Sequence, residues 1–142
     1  MIVSLAPDQY EGLAGFRLAL RRFLAFSEGA ARKAGVTSQQ YQAMLAIKIQ
    51  PGGAILIKDL AEQMMIKHHG AVQLVDRLVL AGLAERRAAT NDRRGVLVAL
   101  TDKGEAALSV MAAANLPELL KHETLLADSL KRLRRIPNGE AD

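Results

Sequence analysis

Between Lys58 and Thr101 the chain carries, without interruption, the signals for two short helices, a tight connection and a two-stranded hairpin. Leu60, Ala61 and Met64 share one side of a predicted helix over Lys58–Met64. Asp59 stands in its first turn, where the helix dipole favours a negative charge. Beyond Met65-Ile66 the pattern predicts a second helix from about Lys67 to Leu80, closed at Gly82. Ala84–Ala88 and Val96–Leu100 then flank Thr90-Asn91-Asp92-Arg93-Arg94-Gly95, a run of turn residues that predicts a β-hairpin with a basic tip. The rest of the chain reads as support for this stretch.

Before it, Leu13, Phe16, Leu20, Phe23 and Leu24 recur at helical spacing with Arg17, Arg21 and Arg22 between them, predicting an amphipathic helix from Asp8 to about Lys33. Gly35 suits the residue that ends it. Thr37-Ser38-Gln39-Gln40 offers a capping box for a second helix, with Tyr41, Leu45 and Ile49 as its expected buried side and Pro51-Gly52-Gly53 as its stop. The apolar run Ala54-Ile55-Leu56-Ile57 is expected to form a single edge strand. After the hairpin, Thr101 is placed as the N-cap of a helix through about Ala114. Pro117 is placed in the first turn of a further helix carrying Leu119, Leu120, Leu126, Leu130 and Leu133.

Composition narrows the function. The 142 residues suffice for one domain, and with half of them hydrophobic and a mean hydropathy of +0.08 the chain is not a disordered one. The absence of cysteine excludes disulfides, thiolate zinc sites and cysteine-based redox sensing. A net charge of +4 and a pI near 9.7 favour anionic partners. No apolar run approaches the roughly 18 residues that cross a bilayer, and Met1–Ala6 is short and uncharged, so a cytoplasmic protein without membrane contact is expected. No Gly-rich phosphate loop, GxSxG or HExxH occurs, and neither enzymatic activity nor a cofactor is expected.

The chemistry lies on the second of the two short helices. Projected at about 100° per residue, Ala71, Val72, Leu74, Val75, Leu78 and Val79 fall in one apolar arc, and His69, Gly70, Gln73 and Arg77 fall opposite it. Such a polar face is that of a recognition helix: the Gln73 amide can pair bidentately with adenine, and Lys67, His68, His69 and Arg77 can donate to base acceptors or phosphates. A solvated face on an ordinary core helix would look similar. The hairpin adds Arg86 and Arg87 on its first strand and Arg93 and Arg94 at its tip, partly countered by Glu85 and Asp92. That tip suits phosphates or a narrow minor groove, or simply solubilises a loop. Strand, helix, helix and basic hairpin in that order make a winged helix-turn-helix. An alternative use of the same basic face is docking to an acidic protein partner. A metal-responsive regulator is a further alternative, but adjacent His68 and His69 point about 100° apart and His122 is remote in sequence, so no metal site is expected.

Leu60-Ala61-Glu62-Gln63-Met64, Val75-Asp76-Arg77-Leu78, Gly82-Leu83-Ala84-Glu85-Arg86, Asp92-Arg93-Arg94 and Leu100-Thr101-Asp102-Lys103-Gly104 resemble, in order and spacing, successive blocks of the MarR (multiple antibiotic resistance regulator) family. The resemblance is sharp from Leu60 to Gly104 and looser outside. It implies a mainly α fold with a small β-wing, a winged helix-turn-helix core over about 37–101, and dimerisation helices over about 8–33 and 102–136, all in one MarR-type domain over 1–142. It further implies a homodimeric regulator, most often a repressor in this family, on a pseudo-palindromic operator in double-stranded DNA. Arg94 would enter the minor groove with Asp92 holding it, Arg93 would meet phosphate, and Asp76 would make structural contacts. A small apolar or phenolic effector is implied between the dimerisation helices and the winged core, with Phe23, Phe26 and Tyr41 as candidate lining residues. The sequence departs from the family pattern at Lys67-His68-His69-Gly70, where a small capping residue with Ser or Thr nearby is usual.

Overall fold

The computed structural model describes residues 3–89 and 95–134. In chain order it forms α1 (Pro7–Lys33), α2 (Ser38–Lys48), a 3₁₀ turn (Pro51–Gly53), β1 (Ala54–Leu56), α3 (Ile57–Met64), α4 (His68–Leu80), β2 (Ala84–Ala88), β3 (Val96–Leu100), α5 (Asp102–Lys121) and α6 (Glu123–Leu133). The fold is mostly helical with one small antiparallel sheet. Residues 30–113 make one compact unit, and the segments up to Gly29 and from Ala114 onward make another.

The first unit holds the winged helix. Its sheet has the order β1-β3-β2, so β1 is the edge strand expected from the sequence; it pairs Ala54 to Leu56 against Ala99 to Leu97. β2 and β3 pair in register from Ala84↔Leu100 to Ala88↔Val96. Met44, Ile47, Leu60, Val75, Leu78, Val98 and Met111 are completely buried at the centre, drawn from α2, α3, α4, β3 and α5. Truncating any of the larger ones to alanine costs about 2 to 5 kcal/mol by lost burial and a residual cavity.

Thr37 caps α2 as expected: its hydroxyl accepts from the Gln40 N–H at 3.0 Å while the Gln40 side chain accepts from the Thr37 N–H at 2.8 Å. The buried side of α2 differs from the expectation. Tyr41 is buried, but the covered residues with it are Ala43, Met44, Ala46 and Ile47, whereas Leu45 lies at the surface and Ile49 is 72% exposed. Steps of four advance about 40° each, so the Tyr41-Leu45-Ile49 stripe winds off the face that the alanines allow close to the core.

The end of α4 and the start of α5 are tied together by hydrogen bonds. Gly82 takes a left-handed φ of 76° to end α4, and the Lys103 ammonium donates to the Ala81 carbonyl at 2.9 Å. Thr101 caps α5, accepting from the Gly104 N–H at 3.0 Å and donating to the Gly82 carbonyl at 2.6 Å. Its own N–H donates to the Leu83 carbonyl at 3.1 Å. A Cβ on Gly104 would collide with that same Leu83 carbonyl, so glycine is required there.

In the other unit α1 and α6 approach closely. A Cβ on Gly12 would lie 2.7 Å from the Ser129 carbonyl oxygen, and one on Gly15 2.6 Å from the Ser129 hydroxyl. Glu11 and Arg132 form an ion pair between the same helices. Pro117 does not begin a new helix; α5 continues through it to Lys121, and the break falls at His122. A proline costs one intrahelical hydrogen bond and crowds the preceding turn, which weakens a helix without obliging it to stop. On the outward side of α1, Tyr10, Leu13, Arg17, Leu20 and Leu24 alternate three and four residues apart and are all exposed.

Candidate nucleic-acid interface

The turn between α3 and α4 fixes where the second helix points. The Ile66 N–H donates to the Ala61 carbonyl at 3.0 Å and the Met65 N–H to the Glu62 carbonyl at 3.1 Å, the paired bonds of a Schellman motif. That motif holds Met65 at φ 57°, ψ 40°, a left-handed conformation costing an L residue about 1 to 2 kcal/mol, with its side chain 92% exposed. Ile66 turns inward and packs on the core.

α4 begins at His68, with Lys67 extended at the N-cap position and contributing no side-chain cap. A helix leaves its first backbone N–H groups without intrahelical partners. The first turn contains no acidic residue. Lys67, His68 and His69 stand there instead, all exposed, so side chains and helix dipole together favour an anion from outside.

The arc of Ala71, Leu74, Val75 and Leu78 is buried, with Val72 and Val79 packed beside it, as the periodicity requires. Opposite, His69, Gln73 and Arg77 are exposed and project within about 80° of one another. Gly70 is half-buried; a Cβ there would meet only Ile66, at an ordinary 3.8 Å. His68 diverges from His69 and joins Val72 on the other edge. There it lines a groove of about 380 Å³ floored by Leu56, Ile57, Val72 and Val96, with Lys58 and Arg86 as its other cationic side chains.

The cations of α3, α4 and the hairpin divide into paired and unpaired. Arg86 on β2 is ion-paired with Asp76 of α4, tying wing to helix. Arg87 donates to Glu85 at 3.0 Å and 2.8 Å. Lys58, Lys67 and Arg77 have no ion-pair partner among the described residues. Asp92, Arg93 and Arg94 lie outside the described residues. At the root of the tip Gly95 takes a φ of 118°, a conformation L side chains rarely adopt.

Lys58 is the residue that sequence reading missed. In the sequence it is only a lysine at a helix start; it joins His68 and Arg86 because β1 pairs with β3, a contact no local pattern announces. Of the candidate effector residues, Tyr41 is buried in the core of the winged unit, while in the other unit Phe23 is half-buried and Phe26 is exposed. Among the described residues no group of three or more His, Asp or Glu side chains is disposed to hold a metal ion, and no helix is long and apolar enough to cross a membrane.

Residues 34–95, which include the turn, α4 and the hairpin strand β2, match the MarR family. The match covers 62 of the 142 residues, and over them the winged helix resembles the MarR family. No curated protein matches the sequence. Solved MarR-family folds superpose on most of the chain. AbsC, a MarR family transcriptional regulator from Streptomyces coelicolor, is 20% identical with a TM-score of 0.73, over 85% of this chain and 82% of its own. A mutant of MarR from E. coli, solved with operator DNA, is 24% identical with a TM-score of 0.68, over 82% and 84%. NadR, solved with 4-hydroxyphenylacetate, is 25% identical with a TM-score of 0.64, over 82% and 86%.

Proposed function

We propose that the chain is a homodimeric regulator that binds a pseudo-palindromic operator, represses from it, and releases it on binding a small phenolic or otherwise apolar effector. The observation that carries the DNA reading is the exposed face of α4, where His69, Gln73 and Arg77 run along one side of a helix whose N-terminus has no side-chain cap. In this reading Lys67, His68, His69, Gly70, Gln73 and Arg77 enter the major groove. Arg94, braced by Asp92, enters the flanking minor groove, with Arg93 on phosphate. Arg86, engaged by Asp76, positions the wing and reaches DNA only with its remaining donors.

A second copy supplies the other half-site, whose centre lies about 10 bp away, one helical turn. The exposed α1 seam of Tyr10, Leu13, Leu20 and Leu24 supports such a partner, because three-four spacing is what a facing helix buries. The effector reading rests on likeness to NadR and on the aromatic residues Phe23, Phe26 and Tyr41. An effector must favour a separation of the two recognition helices unlike the operator-bound one, since equal affinity for both shifts nothing.

The test is fluorescence anisotropy with duplexes from the gene's own upstream region against shuffled duplexes. The expected result is a preference for the upstream DNA that weakens steeply with salt. Gln73→Ala is expected to lower that preference by about 1 to 3 kcal/mol while leaving shuffled binding alone. Equal binding of both duplexes by the parent protein would refute the reading.

A further inference from the structure

We infer that DNA binding by this chain is coupled to proton uptake through His68 and His69, so that the operator is held more tightly as pH falls. The inference rests on the DNA reading above and adds a chemical participant to it.

Three observations converge. First, the first turn of α4 carries two adjacent exposed histidines and no acidic residue. Second, the charged groups facing His68 are all cations: Lys58 from α3 and Arg86 from β2 line its groove, and no acidic side chain among the described residues does. Asp76, the nearest candidate on α4, is already engaged by Arg86. His69 lies on the exposed face with Gln73 and Arg77, and the carboxylate that projects on that face, Asp76, is the one Arg86 engages. Third, the N-terminus of α4 has no side-chain cap, so that its end of the helix also repels added positive charge until an anion arrives.

DNA reverses all three. A phosphate near either ring favours the imidazolium, and the charged ring donates from both nitrogens where the neutral one donates from one and accepts at the other. Histidine is the side chain whose charge changes between about pH 5 and 8, so the reversal falls in the physiological range. By linkage, a bound state that holds more protons than the free state gains affinity as pH falls, by at most about tenfold per pH unit for each proton taken up. Lysine and arginine contacts carry their charge throughout this range and produce a salt dependence without a pH dependence.

The experiment uses the full chain and a duplex that it selects itself from random-sequence DNA, at fixed ionic strength. Affinity for that duplex is expected to rise about tenfold or more from pH 8 to pH 6. Calorimetry in buffers of differing ionisation enthalpy is expected to show net proton uptake on binding. In the His68→Gln, His69→Gln double variant, which keeps hydrogen-bonding side chains, the pH slope and the proton uptake are expected to be lost, whatever affinity remains. His122→Gln, in the other unit, is expected to keep both. Thermal melting of each variant confirms that it is folded. An equal slope in the parent and the double variant, or loss of the slope in His122→Gln, would overturn the inference and leave the DNA reading standing. Failure to select any duplex would overturn both.

Discussion

The two ends of α4 are built on opposite plans. At its C-terminus Gly82 supplies the left-handed residue, Lys103 reaches the Ala81 carbonyl, and Thr101 joins the Gly82 carbonyl to the start of α5. At its N-terminus Met65 is held in a conformation glycine would adopt more readily, Lys67 caps nothing, and cations gather where the dipole prefers anions. The finished end belongs to the fold. The unfinished end is stable only because the buried face of α4 holds the helix in place, and its free donors are complete when something anionic binds.

That contrast can be broken from either side. The largest effect is expected from Gly104→Ala at the finished end, because its methyl group would meet the backbone at Leu83 and neither helix nor sheet can retreat cheaply. A loss of about 3 kcal/mol or more is expected in chemical denaturation. A loss below about 1 kcal/mol would mean that the junction is loose. Next comes Lys67→Asp at the unfinished end, which supplies the missing cap. Stability should rise by about 1 kcal/mol while operator affinity falls at least about tenfold, since a cation facing phosphate becomes an anion. If stability and affinity moved in the same direction, the proposed division of labour would fail. The smallest effect is expected from Met65→Gly, which relieves the left-handed strain at some cost in chain entropy. Melting should show a gain of about 0.5 to 1 kcal/mol with DNA affinity unchanged. A drop in affinity would instead give the exposed Met65 side chain a role in the interface.

Much of this is legible in the residues because it is local. The hairpin strands, the Thr37 capping box, the Thr101 cap and the apolar arc of α4 depend on neighbours within a few positions, and the structure has them where the sequence predicts them. Features that the residues hide depend on partners distant in the chain. The covered side of α2 departs from expectation because small alanines, not the larger Leu45 and Ile49, face the core. Pro117 reads as a boundary because its local penalty is real, yet α5 runs through it. The Asp76–Arg86 pair and the place of Lys58 in the groove both arise from tertiary pairing that spacing alone does not encode.

Gly70 turns the open end of α4 into an evolutionary opportunity. It sits in the first turn of the helix with room beyond it, its nearest would-be neighbour being the tip of Ile66 at van der Waals distance. Unlike Gly104, it has room for a Cβ without disturbing the scaffold. On the proposed DNA reading, positions 67 to 70 form an exchangeable reading head, a place where new target sequences can be written by a few substitutions while the rest of the protein is inherited intact.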